Sequence, residues 1–298
     1  GAAMIGAVGA GVFKDLAEAS RHMVRVKDTY EPHPETLSDT TRSTRYSRPA
    51  TRAWQRTDLN RSMLTRTSSV KRHSTKRRYV MEFSFLTARK IVFKTGAVAD
   101  IAQYIAGYGK NFLIVVDPFF KESETMQKVK SQLDSIGAKY TVYGEVSGEP
   151  TVEQTDEVCE LAVKNGCDAV MSIGGGSNID VGKAVAALIT NGTPAIDYME
   201  YVGRGKKVEN EPVPFISIPT TAGTGSEVTK NSVLGSKVQT FKRSMRSDMM
   251  LANLTIVDPE LSRGCPKKVT ASSGIDAMTH LIEAYTTWRA TPISERLR

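Results

Sequence analysis

The chain has 298 residues, a formal net charge of +8 and three cysteines. A chain of this length usually forms about two domains and can bury a sizeable core. An odd number of cysteines without paired spacing favours reduced, buried thiols over a disulfide framework or a zinc site, which predicts a cytoplasmic protein. No apolar run of about 18 residues and no signal-peptide pattern occurs, so we expect no membrane partner.

The positive charge lies in one stretch of the chain. Between residues 37 and 80 there are twelve Lys or Arg and two Asp, a local charge of +10, which leaves 8 − 10 = −2 for the remainder. A basic surface is the usual footprint of a protein that binds nucleic acid. Because the remainder carries no such excess, we expect the folded part to have no nucleic-acid partner.

The first segment, residues 1–35, is small and apolar and then amphipathic, which predicts two helical pieces that pack closely through their glycines. Its stretches GAVGAGVFKDLAEA and MVRVKDTYEPHPE also resemble the extreme C-terminus of the FGGY carbohydrate kinases, the sugar kinases that include xylulokinase. The resemblance implies a tail without the catalytic aspartate and without most of the ATP site. Such a tail phosphorylates nothing by itself.

The second segment, residues 36–80, is dominated by Arg, Ser and Thr and has neither helical nor strand periodicity. This composition cannot bury enough apolar surface to offset the entropy of ordering, so we expect a disordered linker. Three alternatives stay open. They are a nucleic-acid-binding tail at residues 71–78, an organelle presequence starting at Met63, and a reading-frame fusion of a kinase tail to the next gene with Met81 as the original start. We favour the fusion.

From Met81 onward the pattern changes to alternating strands and helices. Strands are predicted over KIVF, NFLIVVD, KYTVYGEV, DAVMSIGGG and PVPFISIPTT, and helices over KESETMQKVKSQLDSIG, VEQTDEVCELAVKNG and NIDVGKAVAALITNG. Such alternation is typical of a parallel sheet with helices on both faces. The fold class is therefore α/β, and the sequence turns helical again from Pro266.

The first motif with chemical content is SIGGGSNIDVGK, in which three glycines separate a buried strand from a helix. Bare backbone and the free N–H groups of a helix N-terminus suit a pyrophosphate, although a tight turn alone explains the glycines too. Ser177 is predicted as the N-cap, with Asp180 completing a capping-box-like pair. Ile179 breaks the GxGxxG pattern and Ala184 breaks the Walker A pattern, so any phosphate binding uses another arrangement.

Two further motifs follow. In IPTTAGTGSEVT a buried strand is followed by hydroxyl side chains and glycines, which suit the polar parts of a dinucleotide or form a simple turn. In SSGIDAMTHLIEAY, Asp276 and His280 lie four residues apart, within reach of one divalent ion, and a solvated ion pair is the alternative. An apolar stripe is predicted on the opposite helix face, at Met278, Leu281, Ile282 and Tyr285.

Taken in order, GGGS, PTTAGTGSEVT, VDPEL and GIDAMTHLIEAY resemble the group III, iron-containing alcohol dehydrogenases of the dehydroquinate synthase-like fold. The resemblance runs from about Met81 to Arg298. It implies a Rossmann-like dinucleotide-binding domain over residues 81–261 and the truncated start of an all-helical, metal-binding domain over residues 262–298. A nicotinamide cofactor and a metal are expected in the cleft between the two domains.

The resemblance also assigns residues. The metal ligands are expected to be Asp276 and His280, and Asp117 is expected to contact the adenosine ribose, which favours NAD over NADP. The other cofactor-binding candidates are Gly174, Gly175, Gly176, Ser177, Asp180, Thr220, Thr221, Thr224, Ser226 and Lys242.

The implied reaction is hydride transfer between an alcohol or aldehyde and the nicotinamide, with Fe²⁺ or, alternatively, Zn²⁺ polarising the substrate oxygen. The family holds its metal with one aspartate and three histidines, whereas His280 is the one histidine of this segment. We therefore expect an incomplete metal site and an inactive chain. Open alternatives are a catalytically inert dinucleotide-binding module and a maleylacetate reductase or glycerol dehydrogenase of the same superfamily. The expected partner is a small alcohol or aldehyde, and assembly as a homodimer is left open.

Overall fold

The computed structural model describes residues 83–287, Thr291 and Ile293. The predictions for residues 1–35 and 36–80 lie outside the described residues. Within the described part of the chain, no helix is both long and apolar enough to span a bilayer.

The described residues form eight strands, of which six build one parallel sheet in the order β1-β8-β5-β4-β2-β3. All five predicted strands are present in this sheet, and β8 is an addition that the sequence analysis lacked. The strands are β1 (Ile91–Phe93), β2 (Asn111–Val116), β3 (Lys139–Tyr143), β4 (Ala169–Gly174), β5 (Phe215–Pro219), β6 (Asn231–Ser236), β7 (Phe241–Arg246) and β8 (Leu254–Val257).

The described part of the chain also has five α-helices: α1 (Ala102–Ile105), α2 (Glu124–Ser135), α3 (Val152–Lys164), α4 (Gly176–Asn191) and α5 (Lys267–Thr286). Two of them begin at hydroxyl N-caps, since Ser123 accepts a hydrogen bond from the Met126 N–H and Thr151 accepts one from the Gln154 N–H, each at 3.2 Å. Such caps satisfy N–H groups that have no partner within the helix.

Alternate residues of each central strand face two separate apolar cores. In β2, Leu113 and Val115 pack with α3 and α4 on one face, and Phe112 and Ile114 pack with α2 on the other. Burying each of these side chains contributes about 1.5–3 kcal/mol relative to exposure. Helices therefore cover both faces of the sheet, as predicted.

All three cysteines lie in the described residues and are free thiols. Cys159 and Cys167 are buried, as predicted. Cys265 is only partly buried, so the expectation of a buried thiol is wrong there, because the turn before α5 lies at the edge of the core.

The connections change direction between β2 and β4, which are neighbours in the sheet. From β2 the chain continues to β3 on one side, and from β4 it continues to β5 on the other. In open α/β sheets, ligands bind outside the carboxyl ends of the strands at such a switch point. The order of the strands therefore predicts a ligand site where Asp117 and Gly175 follow β2 and β4.

Strands β6 and β7 form an antiparallel hairpin outside the main sheet, which the sequence analysis also lacked. The hairpin is attached to α4, because the Ser232 hydroxyl donates to the Asp180 carbonyl at 2.8 Å. It is also attached to the loop before α3, because the Gly235 N–H donates to the Pro150 carbonyl at 2.8 Å. These bonds hold one wall of the switch-point cleft.

Helix α5 begins where it was predicted, directly after Pro266. It lies against the loop after β5 so closely that a Cβ on Gly223 would come within 2.9 Å of the Ser273 Cα. None of its side chains is buried, and Leu281 and Tyr285 of the predicted apolar stripe are exposed. The stripe therefore forms no core within the described residues.

Candidate cofactor-binding site

A cavity of about 860 Å³ opens at the switch point, at the carboxyl ends of β2 and β4. It is lined by eleven of the thirteen residues that the sequence analysis proposed for the cofactor and the metal. These are Asp117, Gly175, Gly176, Ser177, Asp180, Thr221, Thr224, Ser226, Lys242, Asp276 and His280.

The turn between β4 and α4 forms the floor of the cavity. Helix α4 begins at Gly176 with Gly175 as its N-cap, and no side chain caps it. The prediction that Ser177 is the N-cap is therefore wrong: Ser177 lies in the first helical turn, and the Asp180 carboxylate accepts from the Val233 N–H of the hairpin at 3.2 Å. Because no side-chain oxygen occupies the helix N-terminus, its first N–H groups are available to an anion.

The glycines of this turn serve different purposes. A Cβ on Gly176 would lie 2.9 Å from the Thr224 hydroxyl, so the bare backbone allows the loop after β5 to approach. A Cβ on Gly174 would lie 2.6 Å from the Asn178 side chain, and Gly174 does not line the cavity. Thr220 is also buried behind the wall, where its N–H donates to the Gly174 carbonyl at 3.0 Å. Gly174 and Thr220 thus bond to each other outside the cavity lining, and the expectation that they contact the cofactor stays a prediction.

Three buried polar atoms on the cavity wall have no hydrogen-bond partner: Asn178 Nδ2, Asp180 Oδ1 and Asn231 Oδ1. An unsatisfied buried polar group costs about 1–3 kcal/mol, so these atoms favour a polar ligand that pairs with them. A second cavity, of about 630 Å³, lies near Phe119 and Arg263 and contains none of the unpaired atoms identified in the described residues. The sequence analysis missed Asn178 and Asn231, although Asn178 lies inside the quoted glycine motif.

Two buried ionisable side chains of α4, Asp180 and Lys183, lie at or behind this wall. Burial raises the pKa of Asp180 to about 6, against the opposing effects of Lys183, the Val233 N–H and Ser226. Burial lowers the pKa of Lys183 to about 8, against the opposing effects of Asp180 and Glu227. Lys183 does not line the cavity, so it is no phosphate-binding lysine of the Walker A kind.

The acidic edge of the cavity is formed by the loops after β2 and β3. Asp117 Oδ1 accepts from the Phe119 N–H at 2.9 Å, and its carboxylate stands at the end of β2, beside the glycine turn. Glu149, which was not predicted, lines the same cavity, and its Oε2 lies 2.5 Å from Lys242 Nζ. Lys242 is thus paired with a carboxylate at the cavity mouth.

Asp276 and His280 lie on adjacent turns of α5, and both face the cavity that the glycine turn forms. Asp276 Oδ1 is 3.9 Å from His280 Nε2, and both side chains are about half exposed. Among the residues that the structure describes, no group of three or more His, Cys, Asp or Glu could hold a metal ion. A catalytic metal usually has three protein ligands, so the described residues offer two of the donors that such a site needs.

Comparison with known proteins assigns the chain to a family. Residues 88–259, more than half of the chain, match the family described as iron-containing alcohol dehydrogenase. The chain belongs to the iron-containing alcohol dehydrogenase family. The match includes the glycine turn, the Thr- and Ser-containing loop of residues 220–229 after β5 (the hydroxyl loop) and the hairpin. It does not extend to residues 1–35, where the resemblance to a kinase tail stays a prediction.

Individual members of the family agree with this assignment. The chain is 36% identical to the choline dehydrogenase of Bacillus subtilis over 201 residues, which cover 67% of this chain and 50% of that protein. It is 37% identical to long-chain-alcohol dehydrogenase 1 of Geobacillus thermodenitrificans over 203 residues, which cover 68% of this chain and 51% of that protein. The chain thus spans about half the length of the relatives it matches.

Solved structures confirm the predicted fold. The sulfoacetaldehyde reductase from Bifidobacterium kashiwanohense, solved in complex with NAD⁺, superimposes with a TM-score of 0.67 at 34% identity. The superposition covers 72% of this chain and 56% of that one. The parallel α/β sheet described above is therefore the Rossmann-like part of this dehydroquinate synthase-like family.

Proposed function

We propose that this chain is the NAD-binding part of an iron-dependent alcohol dehydrogenase, which transfers hydride between a small alcohol or aldehyde and the nicotinamide. The observation that carries the proposal is the set of unpaired buried atoms on Asn178, Asp180 and Asn231, which surround an uncapped helix N-terminus at the switch point. The names of the relatives, which refer to choline, long-chain alcohols and sulfoacetaldehyde, support the substrate class.

In this proposal different walls of the cavity bind different parts of the dinucleotide. The N–H groups at the start of α4 bind the pyrophosphate, and the hydroxyls of Thr221, Thr224 and Ser226 donate to the neighbouring polar groups. Asp117 accepts from the ribose hydroxyls and repels a 2′-phosphate, which makes NAD the preferred cofactor. The loops at the carboxyl ends of β2 and β4 thus position the cofactor.

Asp276 and His280 would hold the iron or zinc ion, which when bound polarises the substrate oxygen. They fit this role in donor type, separation and placement on the cavity wall. Two donors are fewer than the three that a catalytic metal usually has. We therefore expect residues 1–298 by themselves to bind the dinucleotide without turning over alcohol.

We further propose that residues 81–261 form the dinucleotide-binding domain and that residue 262 opens the metal-binding one. The finding that α5 packs on the hydroxyl loop but buries none of its own side chains supports the boundary. The free thiols support a reducing, cytoplasmic location. A small alcohol or aldehyde remains the proposed partner, in a monomer or a homodimer.

The proposal is tested by introducing a side chain into the glycine turn. Gly176→Ala places a Cβ 2.9 Å from the Thr224 hydroxyl, so the loop must shift and affinity for NADH should fall by about tenfold, or about 1.4 kcal/mol, in a fluorescence titration. The matched control is Gly264→Ala, whose Cβ meets no atom within 4 Å and which should bind NADH as the unmodified protein does. Equal affinity of the two variants, or no NADH binding by the unmodified protein, would contradict the proposal.

A further inference from the structure

Three adjacent strands of the sheet each carry one buried hydroxyl side chain within an apolar run. They are Ser172 of β4, Ser217 of β5 and Thr255 of β8, and all three are fully buried. Ser172 pairs with Ser217 in register and Ser217 pairs with Thr255, so the three form one row on the face that α4 covers. Burying a hydroxyl costs free energy unless it is hydrogen-bonded. The partners of this buried row therefore indicate its role.

Thr255 and Ser217 bond to the hydroxyl loop. The Thr255 hydroxyl donates to the Glu227 carbonyl at 2.9 Å, and the Ser217 hydroxyl lies 2.8 Å from that of Thr255. Because the one proton of Thr255 goes to the carbonyl, Ser217 is the donor in the bond between the two hydroxyls. Hydrogen bonds linked in this way strengthen one another. The carbonyl that they hold lies in the turn Ser226–Val228, whose first residue lines the cavity.

Ser172 bonds to the helix that follows the glycine turn. Its hydroxyl donates to the Asn178 carbonyl at 3.1 Å, and a Cβ on Gly182 would lie 1.9 Å from the Ser172 Oγ. Helix α4 thus packs directly onto this hydroxyl and is bonded to it one turn earlier. Asn178 lines the cavity, so Ser172 fixes a part of the cavity wall with respect to β4.

The buried row therefore attaches two walls of the cavity to one register position of the sheet, on strands that lie about 4.8 Å from their neighbours. These walls approach each other closely, since a Cβ on Gly176 would lie 2.9 Å from the Thr224 hydroxyl. Lys183 of α4 holds other carbonyls of the loop, those of Ser226 and Thr229. The buried row differs from it because it attaches the loop to the sheet itself.

We propose that Thr255, Ser217 and Ser172 are positioning residues for the dinucleotide: their hydroxyls set the hydroxyl loop and the first turn of α4 at the separation that the cofactor needs. The inference rests on the proposed function of the cavity. None of the three lines the cavity, so they act through the backbone carbonyls that they hold. An apolar row of the same shape would fill the same space but would leave the Glu227 carbonyl without these donors.

The test compares Thr255→Val, Thr255→Ser and Ser217→Ala in the full chain, with NADH affinity measured by fluorescence titration and melting temperature measured in parallel. Thr255→Val keeps the shape of the side chain and removes the hydroxyl, so the loop can keep its position only with an unpaired carbonyl. We expect this variant to bind NADH about tenfold more weakly. Thr255→Ser, which keeps the donor, should bind NADH as the unmodified protein does. Ser217→Ala leaves the bond between Thr255 and Glu227 in place and should lose a smaller part of the affinity.

The matched control is Ile256→Val. Ile256 is the next residue of β8, is equally buried and faces the other core, so this change removes a methylene group without touching the loop. It should lower the melting temperature and leave NADH affinity unchanged. Hydrogen exchange of the protein without NADH adds a local readout, because the amides of residues 225–230 should exchange faster in Thr255→Val than in Ile256→Val.

Two outcomes would overturn the inference while the proposed function stands: Thr255→Val binding NADH as tightly as Ile256→Val, or Thr255→Ser binding it as weakly as Thr255→Val. If Thr255→Val does not fold, Ser217→Ala decides, and an affinity equal to that of the unmodified protein would overturn the inference. If the unmodified protein binds no NADH, the proposed function itself fails, and the inference fails with it.

Discussion

At the scale of single residues, Asp117 is expected to set the choice between NAD and NADP. Its carboxylate lines the cavity at the end of β2, where one oxygen accepts from the Phe119 N–H and the other is available to a ribose. Asp117→Gly removes the repulsion of a 2′-phosphate. In the unmodified protein, the dissociation constant of NADP should exceed that of NAD by more than about tenfold. In Asp117→Gly, we expect the ratio of the two constants to approach one.

Asp117→Asn is the matched control for this prediction. It keeps an oxygen for the Phe119 N–H and removes only the charge, so its preference should lie between those of the unmodified protein and Asp117→Gly. Equal affinity of the unmodified protein for NAD and NADP would remove Asp117 from the role proposed for it.

Residue types within motifs were predictable, whereas their partners were not. Bare backbone and hydroxyls after a buried strand suit a dinucleotide, and the family resemblance assigned the glycines, Thr221, Thr224 and Asp180 as site residues; of these, all but Gly174 line the cavity. Asp180 was predicted to bond within its own helix, but it bonds to the hairpin, some fifty residues away in sequence. The sequence did not indicate that Lys183 is buried, because a buried lysine and an exposed one look the same in a helical pattern.

At the scale of elements, α5 contributes Asp276 and His280 to the cavity from adjacent turns. Two ligands from one helix hold a metal weakly, so we expect less than one equivalent of iron or zinc per chain after dialysis and no NADH formation from short alcohols. A version extended by the helical domain of a relative should gain both metal and activity. Metal analysis and initial rates, measured on the same preparations, check this.

The controls for α5 use the extended version. His280→Ala should abolish both metal binding and activity. The control is Thr279→Ala, at the adjacent position, which removes a hydroxyl that donates to the Ile275 carbonyl. This variant should retain both metal binding and activity. One equivalent of metal and a measurable rate in the unextended chain would show that Asp276 and His280 are sufficient to hold a catalytic metal, which would contradict this account.

Elements with a clear apolar or amphipathic pattern were predictable, including the three-residue β1, and the structure confirms them. The hairpin of β6 and β7 and the edge-side strand β8 were not predicted. Strand β6 alternates buried and partly buried residues, but two of its buried positions are Ser232 and Ser236, whose hydroxyls bond to α4 and to Glu153. Hydrogen bonding replaces apolar burial there, so the period of two does not show in a hydropathy pattern. Strand β8 has four residues and was not predicted either.

At the scale of the whole molecule, the order of the strands determines the position of the candidate site more than any single motif does. The strand that follows β2 and the strand that follows β4 lie on opposite sides of this pair, and the loops at this switch point bring Asp117, the glycine turn, the hydroxyl loop and α5 around one cavity. The sequence predicted a parallel sheet but not the order of its strands, because short apolar strands carry no information about their neighbours. The family resemblance indicated the fold, and the match of residues 88–259 confirms the family.

The most direct measurement of the central claim is a crystal structure of the protein in complex with NAD⁺. We predict the pyrophosphate on the N–H groups at the start of α4, the adenosine ribose against Asp117 and the nicotinamide on the side of Asp276 and His280. The unpaired atoms of Asn178, Asp180 and Asn231 should each gain a partner from the cofactor or its bound water. NAD⁺ in the second cavity near Phe119, or a switch-point cavity that stays empty at saturating NAD⁺, would contradict the account.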